Sequence, residues 1–442
     1  MPGLISRAVG KISGNLPFSW VTGPASRLPH WVLEAYQRAA FGQTIRWVSE
    51  RAPFYQSAFR SRGIHSHRVR GPEDLGDFTT SAEDLRAHSE SAFLCQDPDT
   101  AFETTATMGK RPKRVYFSNA EIKMTGRMGA LGLWALGVRK QDRVASAFDY
   151  SFWNSGPTLK ASLKEIGCFH VEAGKLDPKE FYERVRDYGC NVIVGEPSWL
   201  VRLSEVAAPR GAWSVKLILC GGENIAEDQR ACVESVWKAP VVLSYGQTES
   251  FGVSGTECLA RKGYHLNEVD YLFEILHPDS QGYGELVFTT LRRRVFPLVR
   301  YRTGDVTRFL PGPCSCPLIS NRIEKLKGRT DEIVAGCGMG NLSPWMFEQL
   351  FSGLPDLSPE WQVAIAREGI RDIVDLRLEL SDGVDHRKEL EHAIRTRLKQ
   401  DFSDYWRNHE LGLYELKFTF LPKGTLRKGR KLRRIIDERK FV

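Results

Sequence analysis

The sequence predicts an α/β fold in two parts, a large N-terminal domain built on a largely parallel sheet and a smaller α+β domain after it. From about residue 100 to 245, short apolar runs ending at Gly, Pro or Asp alternate with helix-like segments, as in parallel sheets flanked by helices. A strand-turn-strand pattern follows at 271–290, and helix-like and strand-like segments form a smaller unit beyond 328. We therefore place the domains at 1–328 and 329–442 of the 442 residues.

The first part of the large domain, residues 1–95, is predicted to be mainly helical. Apolar side chains recur at helical spacing through residues 30–62, which predicts one long helix or two shorter ones. Thr80–Leu85 has the short polar and acidic side chains of a helix start. The basic residues between Trp31 and Arg70 fit a solvated face.

Residues 96–260 are predicted to form the parallel sheet and its helices. Four apolar runs are typical of buried strands: Val144–Phe148, Val192–Gly195, Leu217–Gly222 and Val241–Ser244. The predicted helices are 118–138, 177–189, 196–207 and 226–237. Ligands of such domains bind at the carboxyl ends of the strands.

The rest of the chain has two further parts, a β-rich segment and then a smaller domain with helices and strands. Residues 261–328 are β-rich, and a Pro/Asp/Gly turn joins Tyr271–Leu276 to Gly284–Thr290 in a hairpin pattern. The small domain is predicted to have helices at 344–353 and 386–403 and strands at 361–367, 372–381 and 414–421.

Composition limits the class of protein. Hydrophobic residues make up 42% and charged residues 26%, which is ordinary for a globular protein. The net charge of +8 comes from mixed basic and acidic residues, which favours an anionic partner of modest size over nucleic acid. No apolar run is long enough to span a membrane, and the N-terminus lacks a signal-peptide pattern, so we expect a cytoplasmic protein without membrane partners. The 9 cysteines are scattered and do not suggest a disulfide framework.

A basic loop, Thr104–Arg114, follows a predicted strand. It combines hydroxyl side chains, a glycine and several cations. Hydroxyls and backbone N–H groups can hold a polyphosphate, and lysine supplies a mobile counter-charge. The alternative is a solvent-exposed basic loop.

Two further motifs lie at predicted strand ends. The glycines of Gly221–Glu223 permit close approach of the backbone to a flat or charged ligand. In the segment Ser244–Glu249, Tyr245 can stack on a base and Glu249 can hold Mg²⁺ on the phosphates. Each motif alone could be an ordinary turn, but their order along the chain indicates a nucleotide site.

The chain resembles the AMP-forming adenylating enzymes, and within them the phenylacetate–coenzyme A ligase branch. The most specific match runs from Gly284 through Pro297–Asp305, and the resemblance covers most of the chain. It implies nucleotide contacts from Thr105, Thr107, Gly109, Lys110, Lys113, Gly221, Gly222, Glu223, Ser244, Tyr245, Gly246, Asp305 and Arg329.

The same resemblance implies individual roles and a mobile small domain. Asp305 would bind the ribose hydroxyls, and Arg329 would lie near the ribose and phosphate. Thr248 and Glu249 belong to the metal motif and are expected to serve catalysis. Asp331 matches the hinge residue, near 329–332, about which the C-terminal domain rotates between two half-reactions.

A lysine in the basic segment 424–437 is expected to complete the site. Counting back from Asp437, Lys431 matches the family lysine that stabilises charge on the α-phosphate. Lys428 is the alternative because the spacing is not clean. A basic tail for RNA or acidic partners is the structural alternative.

Four residues suggest a metal site of a different kind. Cys258 and His265 precede the predicted hairpin, and Cys314 and Cys316 follow the Asp305 motif. Three thiolates and one imidazole suit a tetrahedral structural zinc. Free cysteines beside a surface histidine are the alternative.

Aromatic residues near predicted strand ends suggest a pocket for a flat, aromatic or unsaturated acid. The candidates are Phe148, Tyr150, Trp153 and Trp199. Most aromatic residues in such patterns are core residues, which is the competing interpretation.

The expected reaction is therefore activation of a carboxylic acid with ATP and Mg²⁺, giving an acyl-AMP and pyrophosphate, then transfer to coenzyme A. Ala106 in place of a glycine, an extra Arg111 and a longer glycine-rich segment at 335–344 depart from the family pattern, and the last leaves the acceptor open. An amine, a carrier-protein thiol or nitrite would fit the same chemistry. A non-catalytic nucleotide- or nucleic-acid-binding protein is the alternative of another class, and either a monomer or a homodimer is compatible with the sequence.

Overall fold

The structure is a computed structural model of the 442-residue chain. It describes residues 30–104, 112–223, 225, 227–316, 318, 320–329, 334–342, 344–354, 356–380, 386–426 and 432–439.

Helices of the described part pack against three hydrophobic cores. In chain order they are α1 His30–Arg51, α2 Pro53–Ser61, α3 Ala82–Ala87, α4 Asn119–Ala135, α5 Ser155–Ile166, α6 Pro178–Val185, α7 Pro197–Ala207, α8 Glu227–Trp237, α9 Pro344–Phe351, α10 Arg387–Asp401 and α11 Ser403–Glu410. Ser81 Oγ caps α3 by accepting from the Asp84 backbone N–H at 3.1 Å, and the Ser81 backbone N–H donates in return to Asp84 Oδ2 at 2.7 Å, as expected for the predicted helix start. None of the described helices is long and apolar enough to cross a membrane.

Strands of the described part form five sheets. In chain order they are β1 Thr100–Glu103, β2 Arg114–Phe117, β3 Arg143–Ser146, β4 Phe169–Glu172, β5 Val192–Gly195, β6 Leu217–Cys220, β7 Val241–Gln247, β8 Gly252–Glu257, β9 Tyr264–Leu266, β10 Tyr271–Leu276, β11 Gly284–Thr290, β12 Tyr301–Thr307, β13 Phe309–Leu310, β14 Arg322–Ile323, β15 Gly328–Arg329, β16 Val334–Cys337, β17 Gly340–Leu342, β18 Leu357–Glu368, β19 Arg371–Leu380, β20 Tyr414–Leu421 and β21 Ile435–Asp437.

The largest sheet has the order β13-β14-β9-β8-β7-β6-β5-β3-β4, and its strands from β4 to β7 are parallel. The four strands predicted from apolar runs are all present. Successive residues of a strand point to opposite faces. Val192 and Val194 therefore pack under α4 and α5, whereas Ile193 packs under α6 and α7. Both faces are covered, which explains why the strands read as continuous apolar runs.

The predicted hairpin is also present and belongs to a second sheet, β10-β11-β12-β15, in which Tyr271 pairs with Thr290. Helix α1 lies on this sheet. Its Thr44 hydroxyl donates to the carbonyl oxygen of Thr290 at 3.1 Å, and its Gln37 amide donates to two more carbonyl groups. These buried hydrogen bonds fix the helical N-terminal part against the β-rich part.

The C-terminal region has its own hydrophobic core. Its four-stranded sheet has the order β20-β19-β18-β21 and packs against α9, α10 and α11. The core includes residues from Met339 to Ile435. The predicted hinge at 330–332 lies outside the described residues, so the domain boundary stays a prediction.

Candidate active site

A cavity of about 310 Å³ opens where the parallel strands β3, β5, β6 and β7 end. Ligands of open α/β sheets bind at this edge. The predicted site residues that line the cavity are Phe148, Trp153, Gly221, Gly222, Glu223, Ser244, Tyr245, Gly246 and Thr248. Residues about 100 positions apart in sequence thus meet at one surface because their strands are neighbours.

Glu249 is held at this edge of the sheet by two side chains. Lys113 Nζ contacts its carboxylate, and the Tyr301 hydroxyl donates to Oε1 at 2.8 Å. The Lys113 ammonium and the Tyr301 oxygen are themselves 3.3 Å apart. The buried carboxylate is thus held in one position by a cation and a hydroxyl.

The charge state of Glu249 follows from these contacts. The side chain is only 2% exposed, and burial alone would raise its pKa. The charge of Lys113 and the hydrogen bonds from Lys113 and Tyr301 outweigh burial, so the pKa of Glu249 lies below its ordinary value. The group is therefore a carboxylate at neutral pH, which is the form that binds a divalent cation.

Asp305 lies across the same site and is oriented by Tyr245. The Tyr245 hydroxyl donates to Asp305 Oδ2 at 2.7 Å, and both residues are buried. The Tyr245 ring packs 5.9 Å from the ring of Tyr264. In the β12–β15 ladder, Asp305 is paired with Arg329, which brings the two predicted ribose residues to adjacent backbone positions. The stacking of Tyr245 on a base stays a prediction.

Two of the motif glycines are required by close contacts. A Cβ atom at Gly246 would lie 1.8 Å from the carbonyl oxygen of Gly252, so no larger residue fits. Gly222 adopts φ +89°, a left-handed conformation that favours glycine. The backbone can therefore form the floor of the cavity without side chains in between.

Glu223 reaches the cavity from the end of β6. Burial, and then repulsion by Glu196, raises the pKa of Glu223 to about 8, although Lys175 opposes the shift. Lys175 itself is paired with Glu196 at 2.6 Å. The Ser198 backbone N–H donates to Glu223 Oε2 at 3.1 Å. Glu223 is thus fixed in position and is protonated more readily than an ordinary glutamate.

Two of the four predicted acid-pocket residues, Trp199 and Tyr150, are not among the residues that line the cavity. Trp199 is fully buried, its indole N–H donates to the carbonyl oxygen of Leu176 at 2.9 Å, and its ring packs on Phe181. It lies on the face of α7 that points into the core. The Tyr150 hydroxyl lies 3.2 Å from His170 Nε2 and also contacts Ser146, so it is engaged by these two side chains.

The C-terminal region closes one side of the cavity, which the sequence patterns do not indicate. Met339 from the β16–β17 turn, Gly340 at the start of β17, and Asp404, Tyr405, Arg407 and Asn408 of α11 line it. A Cβ atom at Gly338 would lie 2.0 Å from the carbonyl oxygen of Leu413, so the glycine-rich segment packs directly on the backbone of the small domain. Arg407 donates to the carbonyl oxygen of Lys175 at 2.9 Å and joins the two regions.

Several predicted site residues fall outside the described residues. These are Thr105, Thr107, Gly109 and Lys110 of the basic loop, the hinge residue Asp331, and both candidate lysines, Lys428 and Lys431. Only the backbone of Arg329 is described.

The predicted metal ligands Cys258, His265, Cys314 and Cys316 converge. Their ligand atoms all lie within 4.8 Å of one another. Cys258 Sγ is 3.6 Å from Cys314 Sγ, and Cys316 Sγ is 3.2 Å from His265 Nε2. Ligand atoms about 2.3 Å from a tetrahedral metal would be about 3.8 Å apart, so this spacing fits a metal centre.

Known proteins are similar to this chain over most of its length. A family model described as "AMP-binding enzyme" matches residues 107–271. A phenylacetate–coenzyme A ligase of Thermus thermophilus is 29% identical over 446 aligned positions, which cover 93% of this chain and 98% of that enzyme.

Solved structures with the same fold are also found. A 2-hydroxyisobutyryl-CoA ligase, in complex with its acyl adenylate and CoA in the thioesterification state, has a TM-score of 0.79 at 20% identity, covering 94% of this chain and 91% of that chain. An open conformation of the same ligase has a TM-score of 0.64 at 19% identity, covering 92% of each chain. At this level of identity the likeness shows the fold.

Proposed function

Because the chain belongs to the AMP-forming adenylating enzymes, in the branch that resembles the phenylacetate–coenzyme A ligases, we propose that it activates a carboxylic acid with ATP and transfers the acyl group to coenzyme A. One observation carries the proposal. The Glu249–Lys113–Tyr301 and Asp305–Tyr245 contacts lie at the same sheet edge, next to a cavity with aromatic side chains. A nucleotide and a flat acid would both fit this arrangement.

In the first half-reaction, a carboxylate oxygen of the acid attacks the α-phosphorus of ATP and pyrophosphate leaves. Asp305 would accept hydrogen bonds from the ribose hydroxyls, with Tyr245 holding its orientation. Gly221, Gly222 and Gly246 would let the nucleotide approach the backbone closely. The chain supplies position and charge, and the bonds that change belong to the two substrates.

Mg²⁺ would neutralise charge on the phosphates when it is bound. Glu249 is the residue proposed to hold it, because it is an oriented and ionised carboxylate. Lys113 pairs with that carboxylate, and its flexible side chain would turn to a phosphate oxygen when the nucleotide binds. Thr248 and the loop residues Thr105, Thr107, Gly109 and Lys110 would hold the phosphates.

The family resemblance assigns the remaining roles in this step. Lys431 is the cation proposed to stabilise the developing charge on the α-phosphate, and Arg329 would contact the ribose and phosphate. Asp331 would serve as the hinge of the C-terminal domain.

In the second half-reaction, the sulfur of coenzyme A attacks the acyl carbonyl and AMP leaves with the original carboxylate oxygen. The arrangement of the C-terminal region supports this step. It covers the cavity through Met339, Gly340 and α11. The chain also superposes better on the thioesterification state of the solved ligase than on its open conformation.

A structural zinc is also proposed, held by Cys258, His265, Cys314 and Cys316. The chemistry of the donor set and its spacing both fit zinc. The site would join the loop between β13 and β14 to the β8–β9 turn. It lies away from the cavity lining and takes no part in the reaction.

The proposal is tested with a panel of aromatic and unsaturated acids incubated with ATP, Mg²⁺ and one acceptor at a time. Pyrophosphate, AMP and acylated products are measured by chromatography and mass spectrometry. We expect acid-dependent pyrophosphate release and a thioester with coenzyme A. Pyrophosphate release with product only from an amine, a carrier thiol or nitrite would overturn the assigned acceptor. No acid-dependent release with any acid would overturn the activity.

A further inference from the structure

One wall of the cavity carries side-chain oxygen atoms that can accept hydrogen bonds. It is formed by helix α5 and the loop before it, which contribute Asp149, Asn154, Thr158 and Ser162 to the lining. The Asn154 amide also has donors, and its Nδ2 donates to the carbonyl oxygen of Thr248 at 3.4 Å. The apolar side of the cavity includes Leu133, Leu219 and Val253, which offer no polar groups.

The two hydroxyl groups of this wall, those of Thr158 and Ser162, each donate their proton in a hydrogen bond to a carbonyl oxygen of the helix backbone. Thr158 Oγ1 donates to the carbonyl oxygen of Asn154 at 2.7 Å, and Ser162 Oγ donates to the carbonyl oxygen of Thr158 at 2.8 Å. A hydroxyl has one proton to donate and two lone pairs that accept. Each group can therefore accept a hydrogen bond from a ligand but has no second proton to give.

Neighbouring glycines hold these hydroxyls in place. A Cβ atom at Gly129 would lie 2.3 Å from Ser162 Oγ, and one at Gly252 would lie 3.0 Å from Thr158 Oγ1. Both glycines also line the cavity. The absence of side chains at these positions leaves room for the two hydroxyl groups, which are buried in the lining of the cavity.

The loop before α5 adds to the same pattern. Asp149 Oδ1 accepts from the Ser151 backbone N–H at 2.6 Å, and a carboxylate can only accept. The cations that line the described cavity are engaged elsewhere. Lys175 pairs with Glu196, and Arg407 donates to the Lys175 carbonyl oxygen. This wall therefore favours a donor on the ligand and disfavours a second carboxylate.

We propose that the acid is an aryl carboxylic acid that carries a hydroxyl or amino donor on its ring, and that Thr158 and Ser162 determine this specificity. The inference rests on the proposed function, because it assigns this wall to the acid. A wall built to accept hydrogen bonds leaves its oxygens unpaired beside an analogue that lacks the donor.

The test compares hydroxy and amino derivatives of benzoate and phenylacetate with the unsubstituted, methoxy and nitro forms. Pyrophosphate release in the presence of coenzyme A gives kcat/KM for each acid. We expect donor-bearing acids to exceed methoxy acids of the same ring position by about 3- to 10-fold at the preferred position. Equal or higher values for methoxy, nitro or unsubstituted acids would contradict the proposal.

Two variants assign the effect to the hydroxyls. Ser162→Ala and Thr158→Val should each lower the ratio of hydroxy to methoxy kcat/KM by several-fold, a change in selectivity that a general folding defect would not produce. Ser235→Ala is the matched control, because its hydroxyl makes the same kind of bond to a helix carbonyl, at 2.7 Å, on the exposed side of α8. A ratio that stays unchanged in both cavity variants would overturn the role of the hydroxyls.

Failure of the activity and failure of this inference give different results. If acids are activated without preference for a donor, the inference fails and the proposed function stands. If no acid releases pyrophosphate, the proposed function fails, and calorimetric binding of the same acids decides the inference. Tighter binding of the donor-bearing acids would support it, and equal binding would contradict it.

Discussion

At the scale of single residues, Glu249 shows how the site balances a buried charge. Removing a carboxylate from water is costly unless it is paired and hydrogen-bonded. Lys113 and Tyr301 meet both requirements here. The carboxylate can thus stay ionised while it is buried, ready for a divalent cation.

Replacing Glu249 by glutamine tests this role. The amide keeps an oxygen for Lys113 and Tyr301 but loses the charge proposed to hold Mg²⁺, so acid-dependent pyrophosphate release should fall about 100-fold or more. Glu183→Gln, at an exposed position of α6, is the control and should keep wild-type rates. Full activity of the Glu249 variant at low Mg²⁺ concentration would refute the assignment.

Glu223 gives a prediction about pH. In the unfolded chain a glutamate titrates near about 4.3, whereas the pKa of Glu223 is raised to about 8 in the folded protein. Between these values the folded protein binds the extra proton, so stability falls as the pH rises through this window. The Glu223→Gln variant should lose less Tm than the wild type between about pH 5 and about pH 9, by a few degrees. Parallel Tm curves for the two proteins would show that this residue does not carry the effect.

The sequence predicts which residues belong to the nucleotide site better than it predicts which side chains they contact. Glycines, acids and the tyrosine could be assigned to a nucleotide site from their order in the chain. The contacts of Glu249 with Tyr301 and Lys113 join positions far apart in sequence, and no local pattern indicates them. A helix pattern also does not say which aromatic residue faces the core and which faces the cavity, so it does not indicate that Trp199 packs on Phe181.

At the scale of elements, an ion pair joins the C-terminal sheet to the large domain. Arg371 at the start of β19 donates to Glu205 of α7 at 3.0 and 2.6 Å, and the Gln229 amide donates to the carbonyl oxygen of Ile370 at 2.6 Å. The turn between β18 and β19 is thus fixed against α7 and α8. These contacts would be lost if the small domain rotated away.

Arg371→Ala should therefore slow thioester formation more than formation of the acyl adenylate. The ion pair is partly exposed, so its coupling energy is expected to be about 0.2–1 kcal/mol, or up to about 5-fold in the occupancy of this arrangement. Rapid-quench measurements of the two half-reactions separate the effects. Arg184→Ala, which breaks an ion pair within α6, is the control. Equal slowing of both half-reactions by Arg371→Ala would argue against a role in domain arrangement.

The sequence predicts the helices and strands of this fold better than it predicts residue contacts or the arrangement of the domains. The four parallel strands, the 271–290 hairpin and the main helices of the C-terminal domain follow from apolar periodicity, because each pattern reflects burial on one or two faces. Strand β4 and helix α5 were not assigned. In β4 no residue is fully buried, so it lacks the continuous apolar run that marks its neighbours.

At the scale of the whole molecule, the proposed zinc centre would stabilise the folded chain. Its ligands come from two segments separated by about 50 residues, so the bound metal would constrain a long loop. Protein purified without chelator should contain about one zinc per chain by mass spectrometry of metals.

Cys314→Ser combined with Cys316→Ser should lose the zinc and lower the Tm by several degrees. Cys168→Ser is the control, since Cys168 is a half-buried free cysteine in another part of the fold. A wild-type protein without zinc, or a double variant with unchanged Tm, would contradict the proposed zinc centre.

The arrangement of the two domains could not be predicted from sequence patterns. It depends on contacts between distant segments, such as that of Arg407 in α11 with the carbonyl oxygen of Lys175, and both residues look like ordinary solvent-exposed positions in the sequence. The family resemblance predicts that the small domain moves, but the residues that close the cavity became apparent only from the structure.

Transfer of labelled oxygen from the acid to AMP is the most direct test of activation through an acyl adenylate. The enzyme is incubated with ATP, Mg²⁺, coenzyme A and an acid that it activates, labelled with ¹⁸O in its carboxylate. The products are analysed by mass spectrometry. Because the carboxylate oxygen attacks the α-phosphorus and leaves with AMP, we predict one ¹⁸O atom in AMP for each thioester formed and none in pyrophosphate. Label in inorganic phosphate with formation of ADP, or unlabelled AMP, would contradict activation through an acyl adenylate.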